Sequence, residues 1–336
     1  MCPIRVNGQT TDAAGVPAQF QVTVQGGRPP VSVVCTPASG STFPIGPSTV
    51  SCTATDAASQ TAGCSFPVLV TRIPTLAWTR FLAFGDSITE GVTSPAPNVL
   101  RRVGLPDAYP GQLQQMLAAR YTAQTITVIN RGIAGERLSD GRERLPDVLD
   151  EDRPEVLLLL EGVNNIRNVP LEELAEDLDD MVREARRRNI EVLIATLLPI
   201  SEDREAGRPG TLEVIEDLND EIFDIARRNR IGDPVDLFSL FSRMPSLLGV
   251  DGLHPTAAGY TQMAQVFFET IRARYEVDPS PDPIVVGTEP LVTPGSAGLS
   301  TSPTSPPSSG ADPSRLPSRS RSIPRTPGGV PRAPRR

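Results

Sequence analysis

The chain has 336 residues, 38% of them hydrophobic and 4% aromatic, with Lys+Arg 32 against Asp+Glu 40 for a net charge of −8. That length allows about two domains plus tails, with aliphatic side chains filling most of any core. No run approaches the roughly 18 consecutive apolar residues of a membrane span, which excludes an integral membrane protein and leaves no transmembrane segment.

All 32 cationic residues are arginines. Seven of them (Arg315, Arg319, Arg321, Arg325, Arg332, Arg335 and Arg336) lie in 315–336 without one acid, so the rest of the chain carries 25 arginines against 40 acids, a charge of −15. An acidic body does not read as a nucleic-acid binder. The start, Met1-Cys2-Pro3-Ile4, has neither a basic n-region nor an apolar h-region, so the chain as it stands shows no secretory signal.

From residue 1 to about 72, Val, Thr, Ser, Gly and Pro dominate, and apolar residues alternate with polar ones. Gln19–Val24, Val31–Cys35, Thr49–Thr55 and Gly63–Val70 are predicted strands, punctuated by Gly26-Gly27 and Pro29-Pro30. Short strands between turn signals predict a small β-sandwich. All four cysteines, Cys2, Cys35, Cys52 and Cys64, fall in this segment. An even number confined to a small β-domain reads as two disulfides in an oxidising compartment, with three pairings open. No Cys-x-x-Cys pair and no nearby histidine suggest zinc.

Residues 73–79 form the expected linker, and 80–277 change rhythm. Arg80–Phe84, Thr125–Asn130, Val156–Leu160, Val192–Leu197 and Pro234–Leu237 are predicted buried strands. Amphipathic helices are predicted between and after them, near 108–121, 138–150, 171–189, 211–230 and 256–275. Strand and helix alternating in this way predict an α/β domain: a three-layer α/β/α arrangement around a parallel sheet. Ser201–Gly210 reads as a polar surface loop near the site mouth, or a lid, and residues 92–108 as a pocket wall or an insertion. Residues 278–336 hold 14 of the 35 prolines and almost no large apolar side chain, which predicts a disordered Pro/Ser/Arg-rich tail.

In parallel sheets the site lies outside the carboxyl ends of the strands. Those ends carry Gly85-Asp86-Ser87, Asn130-Arg131-Gly132-Ile133-Ala134-Gly135, Gly162-Val163-Asn164-Asn165 and Asp251-Gly252-Leu253-His254. Together they offer a serine hydroxyl, a glycine amide, an asparagine amide and an Asp/His pair, the parts of acyl transfer through a serine nucleophile. His254 is the only histidine, which argues against a histidine-rich metal centre; no metal or cofactor is implied. The Gly-x-Ser-x-Gly elbow is absent.

These four blocks, in order, resemble the SGNH or GDSL hydrolase family across roughly residues 80–275. The resemblance implies an ester hydrolase with catalytic residues Ser87, Asp251 and His254, and an oxyanion hole of Ser87, Gly135 and Asn164. It implies an ester substrate on a lipid, a small alcohol or an acetylated sugar, with carbohydrate O-deacetylation and non-catalytic adhesion as alternatives. One departure is Asn165, where the family carries an aspartate. The first segment resembles the hyalin-repeat (HYR) module, an immunoglobulin-like domain, through Cys35-Thr36-Pro37, Gly40–Gly46, Val50–Asp56 and Cys64-Ser65-Phe66. Its usual Gly-Asn is replaced by Ala58-Ser59-Gln60. That likeness implies an extracellular or cell-surface protein and surface or polysaccharide contact through the module.

Overall fold

The computed structural model describes residues 1–277, so the expected tail, 278–336, lies outside the described residues. The first 72 residues form β1 (Val6–Thr10), β2 (Val16–Pro17), β3 (Ser32–Thr36), β4 (Thr42–Phe43), β5 (Gly46–Thr55) and β6 (Thr61–Arg72). One sheet runs β1-β6-β5-β3, and β2 pairs antiparallel with β4. Side chains alternate across a strand, so Val50 and Cys52 of β5 and Phe66, Val68 and Val70 of β6 turn inward onto Ala18 and Phe43.

Cys35 and Cys52 face each other in the β3–β5 register and form one disulfide; Cys64 on β6 forms the other with Cys2. The sequence separations are 17 and 62 residues, for which unfolded-state loop entropy gives about 3–4 kcal/mol each. This offsets the small core of a module of this size.

Gln19–Val24 is not a strand. Its alternation still places Phe20 and Val22 against the small core. However, Ser39 Oγ takes the Phe20 N–H at 2.9 Å and donates to the Phe20 carbonyl at 2.8 Å, satisfying that backbone without a neighbouring strand.

The second hydrophobic core belongs to an α/β layer structure. Its strands are β7 (Thr75–Leu76), β8 (Arg80–Gly85), β9 (Val92–Ala96), β10 (Val99–Arg102), β11 (Thr127–Gly132), β12 (Val156–Leu160), β13 (Glu191–Ile194) and β14 (Glu276–Val277). Its helices are α1 (Ser87–Glu90), α2 (Tyr109–Arg120), α3 (Leu138–Asp152), α4 (Leu171–Arg187), α5 (Glu202–Gly207), α6 (Thr211–Asn229), α7 (Leu237–Arg243) and α8 (Ala257–Tyr275). The parallel sheet has the order β11-β8-β12-β13. All five residues of β12 are buried, as a strand covered on both faces requires. On α4, Leu174, Leu178, Met181, Val182 and Ala185 are buried at helical spacing. Its Arg186-Arg187-Arg188 end is structural: Arg186 pairs with Glu191, Arg187 with Glu184, and Arg188 with Asp150.

Three expectations change in this region. Pro234–Leu237 contributes a single parallel bridge, Ala195–Val235, to the sheet edge. Pro234 has no N–H to donate, and Asp236 already caps α7 by accepting from the Ser239 N–H. Ser201–Gly210 contains α5, which Ser201 caps by accepting from the Arg204 N–H. Thr75–Leu76, inside the expected linker, pairs as β7 with β14. There Glu276 accepts two hydrogen bonds from Arg120 at 2.8 Å and one from Tyr121 at 2.7 Å, fastening the two ends of this core together.

Candidate active site

Ser87 is the first residue of α1, directly beyond the end of β8. Asp86 caps this one-turn helix by accepting the Ile88 N–H at 2.9 Å, and Gly91 closes it at φ 102°. The turn is wedged between strand ends. A side chain at Gly85 would meet the Leu160 carbonyl at 1.9 Å, and one at Gly132 would meet the Glu90 amide at 2.1 Å. Both positions therefore require glycine. Asn130 adds a further tie by donating to the Thr89 carbonyl at 2.8 Å.

The loop before α8 brings Asp251 and His254 to the same point. Ser87 Oγ lies 2.9 Å from His254 Nε2, and His254 Nδ1 lies 2.6 Å from Asp251 Oδ2. Asp251 Oδ1 also accepts the N–H groups of Leu253 and His254 at 3.1 Å. Burial alone would push the Asp251 carboxyl up; the His254 ring, then the two backbone N–H groups, outweigh it and hold the carboxyl below its ordinary range. The acid side of the pair thus stays charged, and it fixes which ring nitrogen faces Ser87.

Gly135 lies in the loop after β11 at φ 81°, a conformation that favours glycine. Its N–H has no acceptor among the described residues. The loop is held by Glu90, which accepts the Ala134 N–H at 2.9 Å and pairs with Arg102 at 2.8 Å. Asn164 is exposed, and its Nδ2 donates to the Glu136 carbonyl at 2.8 Å, which aims the amide while leaving its second N–H free. Ser87, Gly135, Asn164 and His254 line one cavity of about 400 Å³, together with Val92, Leu100 and Ala134. The β9–β10 hairpin therefore walls the pocket.

Asn165, the departure from the family's aspartate, is buried, and its Oδ1 accepts the Leu138 N–H at 3.4 Å at the start of α3. An amide oxygen keeps that acceptor without adding charge. Carboxyl groups are already crowded behind the serine. Burial pushes Asp86 up to about 6, against the Ile88 N–H, and burial with the neighbouring Asp86 and Glu136 raises Glu161 well above the ordinary carboxylate range. Neither Glu161 oxygen has a hydrogen-bond partner among the described residues.

The model of the GDSL-like lipase/acylhydrolase family matches residues 83–262, more than half of the chain. The chain belongs to that family. Residues 21–70 match the HYR domain. An acetylxylan esterase of Geobacillus stearothermophilus is 22% identical over 215 residues, covering 58% of this chain and 97% of that protein. An arylesterase of Vibrio mimicus is 29% identical over 104 residues, covering 31% of this chain and 46% of that protein, so the chain spans under half of its length. Among solved structures, a lipase/acylhydrolase from Enterococcus faecalis superposes with a TM-score of 0.51 at 22% identity, over 60% of this chain and all of that one. An alpha/beta hydrolase enzyme from the Lake Arreo metagenome gives 0.50 at 21%, over 59% and 96%.

Sequence reasoning placed the four blocks. It missed the residues that aim them. Asn130 opens one of the blocks and Glu90 stands just after another, but each holds a loop through hydrogen bonds to partners distant in sequence, which the sequence did not show. Arg204, on a segment read as loop, donates to the Asp251 carbonyl at 3.0 Å.

Proposed function

We propose that this GDSL-family esterase is a serine ester hydrolase working through an acyl-enzyme on Ser87. One observation carries the reading: the continuous hydrogen-bonded run Ser87–His254–Asp251 at the mouth of the cavity. His254 accepts the Ser87 proton as the oxygen attacks an ester carbonyl. Asp251 orients the ring and stabilises the imidazolium that forms. The developing oxyanion sits among the Ser87 N–H, the Gly135 N–H and the Asn164 amide. Ser87, as the first helical residue, has an N–H with no intrahelical acceptor. His254 then protonates the leaving alcohol, and water attacks the acyl-enzyme by the same route. An intact triad weighs against a purely adhesive role.

Carbohydrate O-deacetylation is the second reading, supported by the alignment along 97% of the acetylxylan esterase. The HYR match and two disulfides support an extracellular or cell-surface location and surface or polysaccharide contact through the module. The test is a panel of p-nitrophenyl esters of graded acyl length beside acetylated xylan. Turnover that vanishes in Ser87→Ala is expected. Turnover unchanged in Ser87→Ala would overturn the reading.

A further inference from the structure

A second pocket of about 540 Å³ adjoins the catalytic cavity and shares Asn164 with it. Its polar lining is cationic: Arg167, Arg204 and Arg208 converge there from the loop after β12 and from α5 and its C-terminal end. In a chain with more acids than bases, most arginines of this domain pair with carboxylates. These three make no ion pair among the described residues. Arg167 donates to the Thr211 hydroxyl at 3.1 Å, and Arg204 to the Asp251 carbonyl at 3.0 Å. The Arg208 side chain makes no hydrogen bond or ion pair among the described residues. The nearby Glu205 carboxylate is committed elsewhere, to the Gly210 and Leu212 N–H groups. Among the described residues, the carboxylate acting on Arg204 is that of Asp251, already bound to His254.

Burial and the neighbouring Arg208 both weigh against the Arg204 charge, and the Asp251 carboxylate that offsets part of this is shared with His254. An anion entering the pocket relieves both penalties. Guanidinium forks match a carboxylate with two parallel hydrogen bonds. Asn164 ties the pocket to the oxyanion site, so an ester carbonyl placed beside Ser87 can direct another part of its molecule into the arginine pocket. We propose that this pocket binds a carboxylate carried by the substrate, making the enzyme selective for esters of acidic molecules, such as O-acyl groups on a carboxylated sugar. This inference rests on the esterase reading above.

The carboxylate could belong to the alcohol part or the acyl part, and matched pairs of probes separate the two. For the alcohol side, 4-acetoxybenzoate is compared with neutral 4-acetoxybenzamide. For the acyl side, p-nitrophenyl hemisuccinate is compared with p-nitrophenyl pentanoate. With the full chain, one anionic probe is expected to exceed its neutral partner in kcat/KM by at least about tenfold, the size of a charge-assisted hydrogen bond. The preference should shrink in ~0.5 M NaCl, where screening reaches only a few Å. Arg208→Gln should bring the ratio close to one, and Arg208→Lys should restore part of it. A structural defect would lower both members of a pair alike and leave the ratio in place. Hydrolysis of neutral esters with no anionic preference in either pair overturns the pocket assignment alone. No Ser87-dependent hydrolysis of any ester overturns the esterase reading beneath it.

Discussion

Removing the Asn164 amide isolates one hydrogen-bond donor with little damage elsewhere. The side chain is exposed and makes one hydrogen bond, to the Glu136 carbonyl at 2.8 Å. Asn164→Ala removes the donor to the carbonyl of Glu136, a buried residue, and creates no buried cavity. Its cost to stability should be about 1 kcal/mol, the net worth of one hydrogen bond. Its cost to catalysis should be much larger. The second N–H of Nδ2 has no acceptor among the described residues, and in the proposed mechanism it meets charge only as the tetrahedral intermediate forms. Loss of one such donor raises the barrier by about 3–4 kcal/mol, or roughly 10²–10³ in kcat. Because the ground-state carbonyl is less charged, KM for p-nitrophenyl acetate should change much less than kcat. Asn164→Asp should be worse still, since it puts a negative charge where the oxyanion develops. The assay is steady-state hydrolysis of p-nitrophenyl acetate, with thermal melting as the control for folding. If Asn164→Ala melts normally and keeps kcat within a factor of about three, the oxyanion hole does not include Asn164, and the proposed geometry of attack fails.

Four further outcomes are expected. Ser87→Ala and His254→Ala should each remove most ester turnover, and the double variant should be little worse than either, because the residues act as a unit; retained turnover in His254→Ala would assign the base elsewhere. Protein from an oxidising compartment should contain the two disulfides, read as four hydrogens missing from the unreduced mass, whereas four free thiols would count against the extracellular reading. Asp86→Asn should gain stability relative to the parent as pH rises: burial pushes the native carboxyl from 3.8 to about 6, so its proton is retained on folding, and the resulting penalty is absent below the unfolded value, grows through the window between the two and is full above about 6, where it reaches roughly 3 kcal/mol. Denaturant melts at about pH 4 and pH 8 test this, and an equal difference at both would refute it. A fragment spanning residues 73–277 should fold and keep its activity, whereas one starting at residue 79 loses the β7–β14 pair and should melt earlier.

The strand-end blocks were legible because they stand at fixed places in a strongly periodic segment. The apolar run Val156–Leu160 needs no partner information to be read as a central strand, and it is one. The loop at the carboxyl end of such a strand opens onto the site by topology, so the sequence alone directs attention to Asn164. Legibility failed where hydrogen bonds between distant residues decide the outcome. Ser39 satisfies the Phe20 backbone and stops a strand from forming. Asp236 draws the chain into α7 after one bridge at Val235. Three disulfide pairings were equivalent in sequence until the β3–β5 register put Cys35 opposite Cys52.

The arginine pocket belongs to this second kind. Arg167 and Arg208 are 41 positions apart in the sequence, and neither stands in a motif. An arginine in isolation reads as a solvated surface charge, and an acidic chain of this composition offers enough carboxylates to pair with it. Only the fold shows which cations were left without one. The ion pairs of α4 and the Arg120–Glu276 clasp take up carboxylates where the chain needs fastening. The acids nearest the active site are engaged by His254, by backbone N–H groups or by Arg144, or, as at Glu161, have their carboxyl raised well above the ordinary range by burial. Among the described residues, positive charge is thus left without an ion pair next to Asn164, on the side of the site where the sequence motif has no residue to constrain it. If both proposals hold, specificity is expected to vary with α5 and the loop after β12, while the four strand-end blocks hold the proposed chemistry fixed.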